Sequence, residues 1–325
     1  MRRFLIAILF CAFLLSFSTG CAGRKETDPA QSSEPETEPF VKEVIKGEIT
    51  GIQYEKQFLG YQDGAIYGDY IFNFRTTGVG YVHRFSTREY LGEFKIPGTL
   101  RPHVNSASFS NSFVEETDEF PLLYLNVYNN YMGQNDPKWG IVMAYRILRD
   151  KNRFTLNLWQ VIRVSFAYTD LWADKTDRLP YGNFVIDTDR NRLIAFNIRD
   201  SLHCTRFFEF ALPDVNAGSY RPLDKCKEVD LRKEDILNQF DVEHALVLQG
   251  ACYRDGRVYS AEGMGNEEYP AQIRVIDLES QSLVQTFVIQ ESEDLIPLEA
   301  EFIDFYQNTL YYGDVRAQMY RVTIQ

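Results

Sequence analysis

Six polar residues stand at comparable points of five similar stretches of the chain: Gln62, His103 with Asn105, Asn183, Gln249 and Glu301. Each is followed by small and apolar positions, a turn and a second apolar run. Amide, imidazole and carboxyl groups supply hydrogen bonds with little bulk, as a concave site that orients a ligand by a few convergent polar groups requires. The same groups could instead satisfy one another and the backbone, as buried polar groups must. His103 is the sharpest of the six, being one of only four histidines and able in principle to act as a base or metal ligand. No nucleophile or second ligand lies near it in sequence, and His83, His203 and His244 have no partner at ligand spacing. No catalytic residue, metal or cofactor is therefore assigned.

Other constellations carry less. Asp187-Thr188-Asp189-Arg190-Asn191 begins like a calcium loop, but Leu193 follows Arg192 where glycine and further oxygen ligands are needed, so a hairpin turn is expected. Tyr131 and Trp139, in a loop containing Gly, Asn and Pro, could stack on sugar rings, whereas Trp159 and Trp172 read as core. Glu267 and Glu268, near Glu262, could cut a glycosidic bond only at a suitable separation, and acids on a Gly-rich loop are usually solvated. The chain has no Gly-x-Ser-x-Gly, His-Glu-x-x-His, phosphate-binding Gly-Lys-Ser/Thr or Cys-x-x-Cys motif. These features favour a non-catalytic binding or scaffold module for a small ligand, glycan or partner protein. The alternative is an envelope polysaccharide hydrolase or lyase using His103 and an acid such as Glu301.

The elements that would position the six residues follow a period of two. Tyr70–Phe74, Tyr81–Phe85 and Tyr90–Phe94 are short β-favouring runs, and the pattern recurs through Leu122–Tyr128, Ile141–Leu148, Phe154–Val161, Phe184–Asp187, Leu193–Asn197 and Arg206–Ala211. Asp255-Gly256 marks a tight hairpin. Leu231–Phe240, after a capping Asp230, is the best helical stretch. Four short strands per unit around a ring make an all-β fold, a β-propeller of five blades, with six as the alternative if one lies within Val161–Pro180. The last unit, Phe302–Tyr306, Leu310–Gly313 and Met319–Ile324, is one strand short, and Val41–Thr50 is a spare strand. Pairing the two would close the ring and remove its exposed edges. The first strand of each blade then lines the channel, which would bring the six polar residues to one mouth.

The N-terminus sets the expected compartment. Arg2 and Arg3 precede an apolar run, Phe4–Phe17, shorter than the roughly 20 residues of a spanning helix, and Ser18-Thr19-Gly20-Cys21 follows. The pattern resembles a lipobox, with Ser18 where Leu is commoner. It implies a signal peptide over 1–20, lipidation of Cys21, a disordered tether over 21–40 and one domain over 41–325. Ala22 is compatible with onward transport, so the expected location is the cell envelope, lipid-anchored to the outer membrane and facing the periplasm or the surface. Loss of Arg2 and Arg3 would take the net charge from −12 to −14, which excludes nucleic acid as a partner and leaves the lipid as the contact with membrane. Cys204, Cys226 and Cys252 remain after processing; a Cys204–Cys226 bridge and buried free thiols are both open.

Three stretches carry a resemblance: His103-Val104-Asn105-Ser106-Ala107-Ser108-Phe109, then Asp118-Glu119-Phe120-Pro121-Leu122-Leu123-Tyr124, and later Gln249-Gly250-Ala251. From about residue 46 to the end, the chain resembles an uncharacterised family of bacterial β-propeller lipoproteins. The resemblance implies a propeller in the envelope and brings no agreed activity.

Overall fold

Period-two alternation becomes five small sheets arranged as a five-bladed β-propeller. The structure, a computed structural model, describes residues 45–46, 49–54, 58–60, 62–100, 103–127, 140–174, 176–177, 182–291 and 296–324. All of these fall within the unit spanning residues 43–325, which internal contacts separate from residues 1–42. Two strands, β1 (Ile45–Lys46) and β2 (Ile49–Tyr54), precede the first blade. Blade 1 comprises β3 (Gly64–Tyr67), β4 (Tyr70–Phe74), β5 (Val79–Arg84) and β6 (Tyr90–Lys95). Blade 2 is built on β7 (Ala107–Phe109), β8 (Leu123–Asn126), β9 (Ile141–Asp150) and β10 (Arg153–Val164). Blade 3 runs through β11 (Asn183–Asp187), β12 (Arg192–Arg199) and β13 (Cys204–Ala211), then leaves for β14 (Ser219–Arg221) and β15 (Cys226–Leu231) before returning as β16 (Ile236–Glu243). Blade 4 holds β17 (Leu248–Arg254), β18 (Arg257–Glu262), β19 (Gln272–Asp277) and β20 (Ser282–Val288), and blade 5 holds β21 (Ala300–Tyr306), β22 (Thr309–Asp314) and β23 (Met319–Ile324).

The ring closes where the sequence leaves a strand missing. β2 pairs antiparallel with β23, Ile52 opposite Val322 and Gln53 opposite Arg321, and completes blade 5. The closing strand is thus Ile49–Tyr54, later in the chain than the expected Val41–Thr50, while β1 lies parallel to β20 on the edge of blade 4. No sixth blade forms: within 161–180 the described residues hold the end of β10 and turns. The surplus length goes into β14 and β15, with β15 parallel to β10 so that Val161 faces Glu228 and Val164 faces Leu231. This excursion staples blade 3 to blade 2.

The expected helix over Leu231–Phe240 is a correction. It is the end of β15, a single 3-10 turn at Lys233–Asp235, and most of β16. Asp235 Oδ2 accepts the Arg232 N–H at 2.7 Å, which stabilises one turn and no more. Beyond it, Ile236, Asn238, Phe240 and Val242 are less exposed than the residues between them, so the period was two.

Apolar side chains fill the five seams between neighbouring blades. Phe72, Leu125 and Tyr145 pack between blades 1 and 2, and Phe184, Phe208 and Trp172 between blades 2 and 3. The seam where blade 5 meets blade 1 is the thinnest, with Phe58, Ile71, Phe85, Phe302 and Met319. Among the described residues, Cys204, Cys226 and Cys252 are buried free thiols, so the Cys204–Cys226 bridge does not form. Cys204 sits in blade 3 and Cys226 on the edge of blade 2, and burial pushes the Cys204 thiol up to about 11. Among the described residues, no helix is long and apolar enough to cross a membrane.

Candidate functional site

The inner strands β3, β7, β11, β17 and β21 run in one direction, so their first residues gather at one end of the channel. Ser106 Oγ accepts the Phe184 N–H at 3.2 Å and Ser108 Oγ accepts the Ile186 N–H at 3.3 Å; a two-residue step on each strand means that β7 and β11 run together. On the other side of the ring, Asp304 Oδ2 accepts the Ile66 N–H at 2.7 Å, tying β21 to β3.

At the end where these strands begin, five of the six sequence-derived residues form one polar junction. Asn105 Nδ2 donates to Gln249 Oε1 at 3.0 Å and to the Leu248 carbonyl at 3.3 Å. Asn183 Nδ2 donates to the Gln249 carbonyl. Gln249 Nε2 donates to Glu299 Oε1 at 2.7 Å. Glu301 takes a hydrogen bond from Gln62 and lies close enough to Glu299 and Asp63 to be repelled by both. Gln62, Asn105, Asn183, Gln249 and Glu301 are each at most 6% exposed, so the junction is interior structure whose outward members are half-buried. His103, the sixth residue, is half-buried two positions before Asn105, and burial pushes its imidazole down to about 4. Its neutral ring is compatible with accepting a proton or a hydrogen bond.

Backbone geometry shows how tightly this end is built. Val104, between His103 and Asn105, has φ of 62°. A β-branched side chain in the left-handed region is strained, and strain of this kind persists only where the surroundings impose it. Here the Val104 carbonyl accepts the Asp63 N–H at 3.3 Å, and Asn126 Oδ1 accepts the N–H groups of Asn105 at 2.9 Å and Ser106 at 3.0 Å. A Cβ on Gly250 would lie 2.6 Å from the Glu301 carbonyl oxygen and 2.7 Å from Asp63 Oδ1. Only glycine lets β17 pass so close to blades 1 and 5.

The electrostatics are those of crowded, desolvated acids. Burial pushes Asp63 well above the usual carboxylate range; its Oδ2 accepts the Ala107 N–H at 2.9 Å. Asp63 Oδ1 has no partner in hydrogen-bond geometry, although the N–H groups of Gly64 and Ala251 lie near enough to favour its charged form. Burial, then repulsion by Glu299 and Asp63, pushes Glu301 well upward too. Asp304, deeper along β21, is pushed up to about 7 by burial. Carboxyl groups held in the acid form can donate hydrogen bonds or protons near neutral pH. A cavity of about 10 Å³ beside Gln62, Asn73, Glu301 and Asp314 has room for one water. Among the described residues, no group of three His, Cys, Asp or Glu side chains is placed to hold a metal ion.

Sequence reading missed Asp63, Asn126 and Glu299. Glu299 was within reach, since a two-residue step from Glu301 puts both on one side of an extended chain. Asp63 adjoins Gln62, whereas Asn126 ends a second strand and carries no such signal. The weaker constellations resolve into structure. Asp187 Oδ1 accepts the N–H groups of Asp189 at 3.0 Å and Arg190 at 2.9 Å, while Oδ2 binds the Arg190 guanidinium at 2.6 Å, so the acidic run is a hairpin turn. Trp159 donates to the Val215 carbonyl at 2.8 Å, Trp172 is buried, and Glu262 pairs with Arg274 in the interior at 3.4 Å. Tyr131 and Trp139 lie outside the described residues.

No protein-family model and no curated protein matches the chain. Among solved structures, the crystal structure of glutaminyl cyclase from Myxococcus xanthus is similar over 87% of this chain and 99% of that one, at 9% identity and a TM-score of 0.49. A likeness of that size carries no argument about activity. The strand pairings themselves carry the five-bladed fold.

Proposed function

We propose that this chain is a lipid-anchored envelope protein of the bacterial propeller-lipoprotein kind, whose ring is a binding module for a small ligand, glycan or partner protein. The observation that carries the binding reading is the junction itself: polar side chains from five different blades meet at one channel end. The buried members, Gln62, Asn105, Asn183, Gln249 and Glu301, act as the rigid backing, and the half-buried His103 and Glu299 supply the face that a ligand touches. Preorganisation of this kind lowers the ordering cost of binding. Lipidation of Cys21 would hold the module at the outer membrane by its chains alone.

Two experiments test this reading. Full-length protein made in a bacterial host is expected in the membrane fraction with a diacylglyceryl mass on Cys21, and Cys21→Ser is expected to release it; a wild-type protein that stays soluble and unmodified sinks the anchor. For the module, a glycan array on detergent-solubilised protein is followed by the double variant His103→Ala, Gln249→Ala. Loss of binding with unchanged unfolding supports the site, and full retention removes it. One observation favours the hydrolase reading: Glu301 and Glu299, both pushed upward by burial, stand close enough to repel one another at the channel end, and glycosidic cleavage uses a pair of carboxyl groups. Turnover of an envelope polysaccharide that Glu301→Gln abolishes would establish that reading in place of the first.

A further inference from the structure

A second cavity lies away from the polar junction. It measures about 240 Å³ and is lined by Phe58, Phe85, Ser86, Arg88, Tyr306 and Tyr311. Phe85, Ser86 and Arg88 belong to the turn from β5 to β6, and Tyr306 ends β21. Strands in each blade alternate in direction, so the turn after the first strand and the turn after the third fall at the same end. Both turns therefore lie opposite the end where the inner strands begin, at the seam where blade 5 meets blade 1.

Four aromatic rings make the walls. Phe85 stacks on Tyr306 at 4.3 Å and on Phe58 at 5.6 Å between centroids, and Tyr311 meets it edge-on at 4.8 Å. The polar atoms of the lining are largely committed to Asp69. Ser86 gives Asp69 both its N–H, at 2.8 Å, and its hydroxyl, at 2.7 Å, and the Tyr306 hydroxyl donates to Asp69 at 3.1 Å. A neutral sugar, which needs several free hydrogen-bonding groups, finds few here. An apolar ring finds aromatic surface, and Arg88 adds the lining's positive charge; guanidinium groups pair with carboxylates in two-point geometry.

We propose that this seam pocket is a second binding site, for an aromatic carboxylate: a flat ring held among Phe58, Phe85, Tyr306 and Tyr311, with its acidic arm at Arg88. The proposal is independent of the channel-end reading, because no residue is shared between the two sites.

Arg88 offers an unusually clean variant. Its φ is 61°, in the region where glycine sits without strain, so Arg88→Gly removes the guanidinium and leaves the turn at ease. Indole-3-propionate and its uncharged counterpart 3-ethylindole are titrated calorimetrically into full-length protein in detergent. One molecule of the acid is expected to bind per chain, at least tenfold more tightly than 3-ethylindole. Arg88→Gly is expected to abolish that tenfold preference without lowering the unfolding temperature, and Tyr311→Ala to weaken both compounds. The double variant His103→Ala, Gln249→Ala is expected to bind the acid normally. No binding of the acid at millimolar concentration overturns the proposal. So does equal binding of acid and neutral compound, a preference that survives Arg88→Gly, or tighter binding of glucuronate than of the indole acid.

Discussion

Trp172→Ala is expected to lower the free energy of unfolding by about 3–5 kcal/mol, the usual cost of emptying a large aromatic site in a packed core. Trp172 is fully buried and stacks on Phe208 at 5.4 Å with an interplanar angle of 8°, while Phe166 approaches it edge-on at 6.3 Å. Its carbonyl accepts the Asn197 side-chain N–H at 2.7 Å. The ring also shapes the chain beside it: a Cβ on Gly182 would meet it at 2.5 Å. Collapse into the vacated space is opposed on both sides, because β12 and β13 are paired along their whole length and Arg199 and Asp177 form a buried pair at 2.7 Å close by in sequence. Urea unfolding gives the number directly, and the melting temperature should fall on the order of 10 °C for a domain of this size. A cost below about 1 kcal/mol would mean that Trp172 is not a packing centre of this seam.

The fate of Trp172 also shows which parts of the molecule could be read from the chain. Strands were legible because alternation is local: β10 buries every second residue from Phe154 to Leu158. The Asp255-Gly256 turn was legible for the same reason, and its φ values of 49° and 76° are those that two central left-handed residues require. The inner strands announced themselves by polar starts, which made Gln62, Asn105, Asn183, Gln249 and Glu301 visible as a series. What could not be read depends on distance along the chain. The parallel union of β15 with β10 joins segments from different blades, and nothing in Cys226–Leu231 names its partner. The seam pocket draws Phe58, Phe85, Tyr306 and Tyr311 from both ends of the sequence, each an ordinary aromatic that carries no sign of the others. Leu231–Phe240 misled because Asp230, read as a cap, is a strand residue of β15, and the single turn that follows is held by Asp235 instead.

Between pH 6.5 and 8, the folded protein is expected to lose stability as pH rises. Asp63 and Glu301 are raised far above the carboxylate range, chiefly by burial, whereas in the unfolded chain both are already ionised. The folded state therefore holds more protons, and unfolding free energy falls with pH by about 1.4 kcal/mol per unit for each proton retained. Asp304, raised to about 7, adds to the fall in the lower part of this window. Groups of opposite sign act elsewhere. His83 and His103, lowered to about 4 by burial, contribute stability that is complete above the unfolded value near 6.5 and is lost only below it. Asp69, Asp224, Asp241 and Asp277 are lowered by their hydrogen bonds despite burial, and their contribution disappears only under acid. The cysteines, raised by burial, enter only as the unfolded thiols ionise near 8.5. Urea unfolding at half-unit steps measures the slope, and Asp63→Asn, which keeps an oxygen for the Ala107 N–H, should flatten it. An unchanged slope would mean that Asp63 is not the proton carrier. The consequence reaches the ring itself, since Asp63 and Glu301 face each other across the junction of blades 1 and 5. Two charges ionising there would push apart the seam that has the least apolar packing to hold it.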